Sequence, residues 1–133
     1  MTQDFKIYAL TLYGEARGEI DKIGILGLQA VGLVIRNRLY AGNFGETLEQ
    51  VCKKPYQFSC WNPGDPNLKL LEDPKTLEDK TFQVCTDVSH TLLRHRIQDF
   101  TRGATHYHAK GIAPYWTKDM TMTLLLGDHQ FYG

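Results

Sequence analysis

The chain has 133 residues, and its 15 basic and 15 acidic side chains cancel to a formal charge of zero. That length is enough to bury a core in a single domain, and the charge balance leaves no electrostatic footprint for nucleic acid or an anionic membrane. No apolar run reaches the roughly 18 residues of a membrane-spanning helix, and Met1 to Leu12 has Asp4 ahead of Lys6 with no small-residue cleavage site. A neutral substrate, no nucleic acid partner, no membrane insertion and no Sec-type leader are therefore expected. Cys52, Cys60 and Cys85 match no metal-binding spacing and read as free thiols, although a Cys52–Cys60 bridge stays open if the protein is exported.

Taken in order, Asp4 is an expected N-cap for a first helix in which Phe5, Ile7, Tyr8, Leu10, Leu12 and Tyr13 are apolar almost all round, so this helix should be central. It delivers Glu15 at its C-terminal end, where the helix dipole and partial burial would favour the protonated carboxyl of a general acid. Glu15 and Glu19 flank Arg17 between Gly14 and Gly18. Two readings remain open here: a solvated turn, or a carboxylate site in which glycine lets a ligand approach. An unbroken helix would put both carboxylates on one face, near the spacing of a retaining glycosidase pair, but the glycines argue against continuity.

The second helix is the clearest, with Ile23, Leu26, Gly27, Ala30, Val31, Val34, Ile35 and Leu39 on one face. Gly24, Gly27 and Gly32 would weaken it unless a neighbouring helix packs closely, so it should lie beside the first. Asn37, near its end, reads as a cap. Thr47-Leu48-Glu49-Gln50 has the form of a capping box and opens a short helix that stops before Pro55.

From Pro55 to Pro66 the chain reads as an ordered loop carrying Tyr56, Phe58 and Trp61 among Gln57, Ser59 and Asn62. Rings interleaved with amides and hydroxyls suit a sugar, and equally suit a loop anchored to a core. Asp73-Pro74 then opens a helix expected to run to about Ile97 as scaffold.

The C-terminal third alternates with period two. Residues 104–109 place His106 and His108 on one strand face and Tyr107 on the other, the latter expected in the core. Met120 to Leu126, a Gly127-Asp128 turn and His129 to Tyr132 read as an antiparallel return, so the fold class is α+β with a small sheet at the C-terminal end. His106, His108 and His129 raise a zinc site, or serve as hydrogen-bonding walls of a cleft.

Glu15-Ala16-Arg17-Gly18-Glu19, residues 27–32 and Val34-Ile35-Arg36-Asn37-Arg38 resemble the N-terminal half of the SleB-like cell wall hydrolases, the family of the spore cortex-lytic enzyme. Pro55-Tyr56-Gln57-Phe58-Ser59-Cys60-Trp61, residues 103–108 and residues 127–132 continue the resemblance in order along nearly the whole chain. The resemblance implies one catalytic domain spanning 1–133, with a helical lysozyme-like core, that cleaves peptidoglycan glycan strands between N-acetylmuramic acid and N-acetylglucosamine without a cofactor or metal.

Within the resemblance, Glu15 matches the catalytic glutamate. In lytic transglycosylase chemistry one carboxyl both protonates the glycosidic oxygen and then takes the proton of the muramyl C6 hydroxyl. Glu19 and Asn37 would support it, and Gln57, Phe58, Ser59, Trp61, His106, His108 and His129 would line the glycan cleft. The chain is expected to act as a monomer and to reach the wall by a phage-type or other non-Sec route. Competing expectations are a silent glycan-binding module and a zinc-dependent hydrolase.

Overall fold

A computed structural model describes residues 1–133. The helix α1 (Gln3–Ala16) lies at the centre of the helical part, and every residue from Ile7 to Tyr13 is buried. An all-round apolar sequence has no face to give to water, so other helices enclose it. They are α3 (Leu26–Ala41), α4 (Leu48–Lys53), α5 (Leu68–Glu72) and α6 (Lys80–Leu93), while α2 (Ile20–Ile23) is a single turn leading into α3. None is long and apolar enough to cross a membrane.

Asp4 is not the cap of α1. Thr2 takes that place and accepts a bond from the Phe5 amide at 3.2 Å. Asp4 lies in the first turn and turns to another helix, accepting from the Leu48 and Glu49 amides at 3.3 and 3.2 Å. A carboxylate at the start of α4 satisfies donors that the helix leaves open and complements its dipole. Thr47 caps the same helix through the Gln50 amide, as its capping-box form predicts.

The second expected helix is divided. Gly24, at φ 65°, closes α2 after Ile23, and α3 starts only at Leu26. Within α3, Gly32 does what a close helix crossing requires. Its carbonyl accepts the Tyr8 hydroxyl of α1 at 2.7 Å, and a Cβ there would stand 2.3 Å from Leu92 Cδ1 of α6.

The expected helix from Asp73 to Ile97 is also corrected. Asp73 caps a 3-10 turn at Pro74–Glu78, and Asp79, in extended conformation, caps α6 through the Thr81 amide at 2.8 Å. Two side-chain caps six residues apart interrupt what the apolar spacing reads as one helix. α6 ends at Leu93, just before His95 at φ 56°.

Strands β1 (His106–Ala109), β2 (Met122–Leu126) and β3 (His129–Tyr132) form an antiparallel sheet in the order β1-β3-β2. Tyr107 pairs with Phe131 and Ala109 with His129, so Tyr107, Phe131 and His129 share one face. His106, His108, Gln130 and Tyr132 share the other. The first face packs on α3 through Phe131, Ala30, Val34 and Ala104. The whole is an α+β arrangement of a helical core with a small sheet at its C-terminal end.

Asn37 is a tie rather than a cap. Its amide nitrogen donates to Asp99 Oδ2 at 3.0 Å and to the Ala104 carbonyl at 2.9 Å, joining α3 to the segment before β1. Partial burial pushes the Asp99 carboxyl up, yet the bonds it accepts from Thr101, Gly103 and Asn37 together hold it below the usual range.

All three cysteines are free and fully buried, so no Cys52–Cys60 bridge forms. Burial pushes the Cys52 and Cys85 thiols up to about 12, and burial together with the Glu15 carboxylate pushes Cys60 higher still. Thiolate is the reactive form. The native protein should therefore leave all three thiols unmodified by iodoacetamide at pH 8, and take up three equivalents once denatured. Rapid labelling of the native chain, read by mass, would contradict this packing.

Candidate active site

Glu15 is the penultimate residue of α1, and the backbone breaks directly after it, with Ala16 at φ −132° and ψ 2°. That break separates the two carboxylates. Glu19 falls in a 3-10 turn (Arg17–Glu19) and points to the sheet, its Oε1 3.7 Å from His129 Nδ1 and its Oε2 buried without a partner. The i, i+4 spacing therefore does not produce a carboxylate pair, because the helix that would present both ends between them.

Three donors converge on Glu15 from distant parts of the chain. The Tyr107 hydroxyl of β1 donates to Oε1 at 2.8 Å, and the Cys60 amide donates to Oε2 at 3.1 Å. Ser59 Oγ stands 3.5 Å from Oε2, at the limit of a hydrogen bond. The backbone of Cys60 can come this near because residue 14 is glycine, where a Cβ would lie 2.7 Å from Cys60 Cβ. The carboxylate itself remains half-buried, open enough to meet a ligand.

Tyr107 also lines a cavity of about 420 Å³ with Arg38, Tyr56, Gln57, His106, Tyr115 and Trp116. Tyr56 and Tyr115 are 86% and 84% exposed, so their ring faces are available to a sugar. Tyr56 is held at φ 63°, a conformation that costs a bulky residue strain and persists where the surrounding structure imposes it. A larger cavity of about 590 Å³ at Met1, Thr2, Phe5, Thr86 and His90 has no carboxylate and shares no residue with the Glu15 site.

The structure sorts the residues that the sequence nominates. Gln57 and His106 lie on the cavity, and Ser59 lies beside Glu15. His106 packs against Trp116 with ring centroids 5.0 Å apart; burial, helped by Arg38, lowers its pKa, which keeps it neutral at neutral pH.

The remaining nominees sit elsewhere. Phe58 is 1% exposed and belongs to the core. Trp61 anchors the loop, its Nε1 donating to Thr11 Oγ1 at 2.9 Å, and it opens onto a separate cavity with Lys53 over its ring. His108 is buried on the outer sheet face, with Nε2 2.9 Å from the Tyr132 hydroxyl. His129 faces Glu19 on the opposite side of the sheet from His106 and His108, so strand register forbids the three-histidine zinc arrangement. No three His, Cys, Asp or Glu side chains gather in metal-binding geometry.

Arg38, Tyr107, Tyr115 and Trp116 escape a reading of the sequence. Tyr107 has the alternation of a core residue, and only its hydroxyl leaves the core. Arg38 looks like an ordinary charge in a last helical turn. The Pro114-Tyr115-Trp116 stretch does carry a signal, the same exposed aromatic character as Tyr56 in the loop before it.

A sequence profile of the Cell Wall Hydrolase family matches residues 24–132, and the chain belongs to that family. Its fold is similar to the catalytic domain of the germination-specific lytic transglycosylase SleB from Bacillus anthracis, at 24% sequence identity and a TM-score of 0.72. The likeness covers 100% of this chain and 97% of that one, and at this identity it establishes the fold. No curated protein matches the sequence. The family match begins beyond Glu15, so the role of that residue rests on its geometry.

Proposed function

We propose that this protein cleaves peptidoglycan glycan strands as a lytic transglycosylase, with Glu15 as the single acid and base. The observation that carries this reading is one carboxylate, at a helix break, held by donors from two distant chain segments beside an aromatic-rimmed cavity. As an acid, Glu15 protonates the glycosidic oxygen between N-acetylmuramic acid and N-acetylglucosamine. As the resulting carboxylate it takes the proton of the muramyl C6 hydroxyl, whose oxygen closes a 1,6-anhydro ring on C1. The Tyr107 hydroxyl and the Cys60 amide donate to its two oxygens and hold the carboxyl group in position for both transfers. No second carboxylate is needed, and Glu19 is turned away toward His129.

Incubation with purified sacculi tests the reading. Soluble muropeptides with anhydro ends, lighter than reducing ends by one water, are expected; reducing ends would instead make it a hydrolase, and intact sacculi would leave a glycan-binding module. Tyr107→Phe keeps the ring and removes the donor, so fragment release should fall about tenfold to a hundredfold, in line with the loss of one charge-assisted bond. Unchanged release from this variant would restrict Tyr107 to packing.

A further inference from the structure

Arg38 is an unusual residue to find buried where it is. It is 4% exposed, and no carboxylate pairs with it. Its guanidinium lies between the rings of Phe44 and Phe58, 4.8 and 5.0 Å from their centroids. Nε donates to the Thr105 carbonyl at 2.6 Å and Nη1 to Gln57 Oε1 at 3.0 Å, both neutral acceptors. Nη2 has no protein acceptor and is not sealed from solvent. Burying a cation without an opposite charge is costly, and burial does lower the affinity of this guanidinium for its proton.

The place where that charge is left open matters. Arg38 lines the cavity that Tyr107 shares, and none of the other lining residues is acidic. Among the nearby titratable groups His106 is kept neutral, Lys54 is a second cation near Phe44, the Tyr107 and Cys52 protons are held on by burial, and the one carboxylate, Glu15, bonds Tyr107 and Cys60 rather than Arg38. Arg36, equally buried, gives Nη1 to the Leu92 carbonyl and does not line the cavity. Arg38 thus brings a cationic donor without a protein acceptor, Nη2, to the wall of an aromatic-lined space one side chain from Glu15. A fork of this kind suits a carboxylate.

We propose that Arg38 binds a substrate carboxylate, borne either by the lactyl ether of muramic acid or by its peptide stem, and so orients the muramyl residue against Glu15. The proposal rests on the peptidoglycan reading above. An acceptor arriving from the substrate would complete the charge that folding leaves unpaired, and Gln57 and the Thr105 carbonyl would hold the guanidinium in plane for it.

Calorimetric binding of soluble peptidoglycan fragments to the Glu15→Gln protein tests it, with the same fragments neutralised by coupling their carboxylates to methylamine. Native fragments should bind about tenfold or more tightly than neutralised ones, and the Arg38 Nε–H resonance should move only with the native form. Fragments stripped of stems by an amidase, which frees the lactyl carboxylate, separate the two sources: retained preference assigns the lactyl group, lost preference the stem. In Arg38→Gln the native and neutralised fragments should bind alike; if that variant does not fold, the resonance decides. Equal binding of both forms by the Arg38 protein, or an unmoved resonance, overturns the proposal. Wild type that fails to solubilise sacculi while this discrimination persists would overturn only the catalytic reading.

Discussion

Glu15→Gln should reduce the release of fragments from sacculi by about a thousandfold or more while the melting temperature stays near that of the wild type. Glutamine keeps the size of the side chain: its carbonyl oxygen can accept from the Cys60 amide while its NH2 donates to the Tyr107 hydroxyl oxygen, which turns from donor to acceptor, so the site should hold its shape. What disappears is the exchangeable proton. In a mechanism with one acid and base, both the departure of the leaving sugar and the closure of the anhydro ring lose their catalyst together. Glu19 cannot substitute, since its carboxylate is committed to the sheet side near His129 and Gly127. Activity close to wild type in Glu15→Gln would remove this residue from the chemistry, and a large fall in melting temperature would mark it as structural.

Gly32→Ala has the largest expected effect on stability. In an ordinary helix interior, alanine for glycine is worth about 1 kcal/mol in favour of the fold. Here the new Cβ would stand 2.3 Å from Leu92 Cδ1, 3.2 Å from the Tyr8 hydroxyl oxygen and 3.5 Å from Leu12 Cδ2. All three neighbours are fully buried, so none can swing into solvent. Overpacking at such a junction costs typically about 1–3 kcal/mol and outweighs the gain in propensity. A fall in melting temperature of about 5–10 °C is expected for a domain of this size. Gly18→Ala is the control: nothing stands within 4 Å of its Cβ, and its stability should be unchanged or slightly raised. A Gly32→Ala protein as stable as wild type would show that α1, α3 and α6 can slide apart at that point.

These two positions also show how differently a sequence exposes its parts. Gly32 was legible as a close contact because glycine in a strongly apolar helix demands one, although nothing in the spacing says that two helices, through Tyr8 and Leu92, would meet there. Glu15 was legible as a candidate because a carboxylate flanked by glycine at the end of an apolar helix is rare. Its partners were not, because Cys60 contributes only a backbone amide and Tyr107 only the tip of an otherwise core-like ring. The expectation of His106, His108 and His129 in one cleft failed at strand register, where a pairing of Ala109 with His129 sends the third histidine to the other face.

Local physical chemistry therefore determined the central apolar helix, the glycine-rich second helix, the Thr47 cap, the hairpin and the α+β class, since each depends on residues within a few positions of one another. The folded chain decided the rest. It moved Asp4 from its own helix to the next, broke the helix between Glu15 and Glu19, sent Phe58 and Trp61 inward, and left Arg38 without a counter-charge at an open cavity. Those outcomes depend on which segments, tens of residues apart, come to share a surface, and burial and hydrogen-bond satisfaction choose among them only when the whole core is assembled.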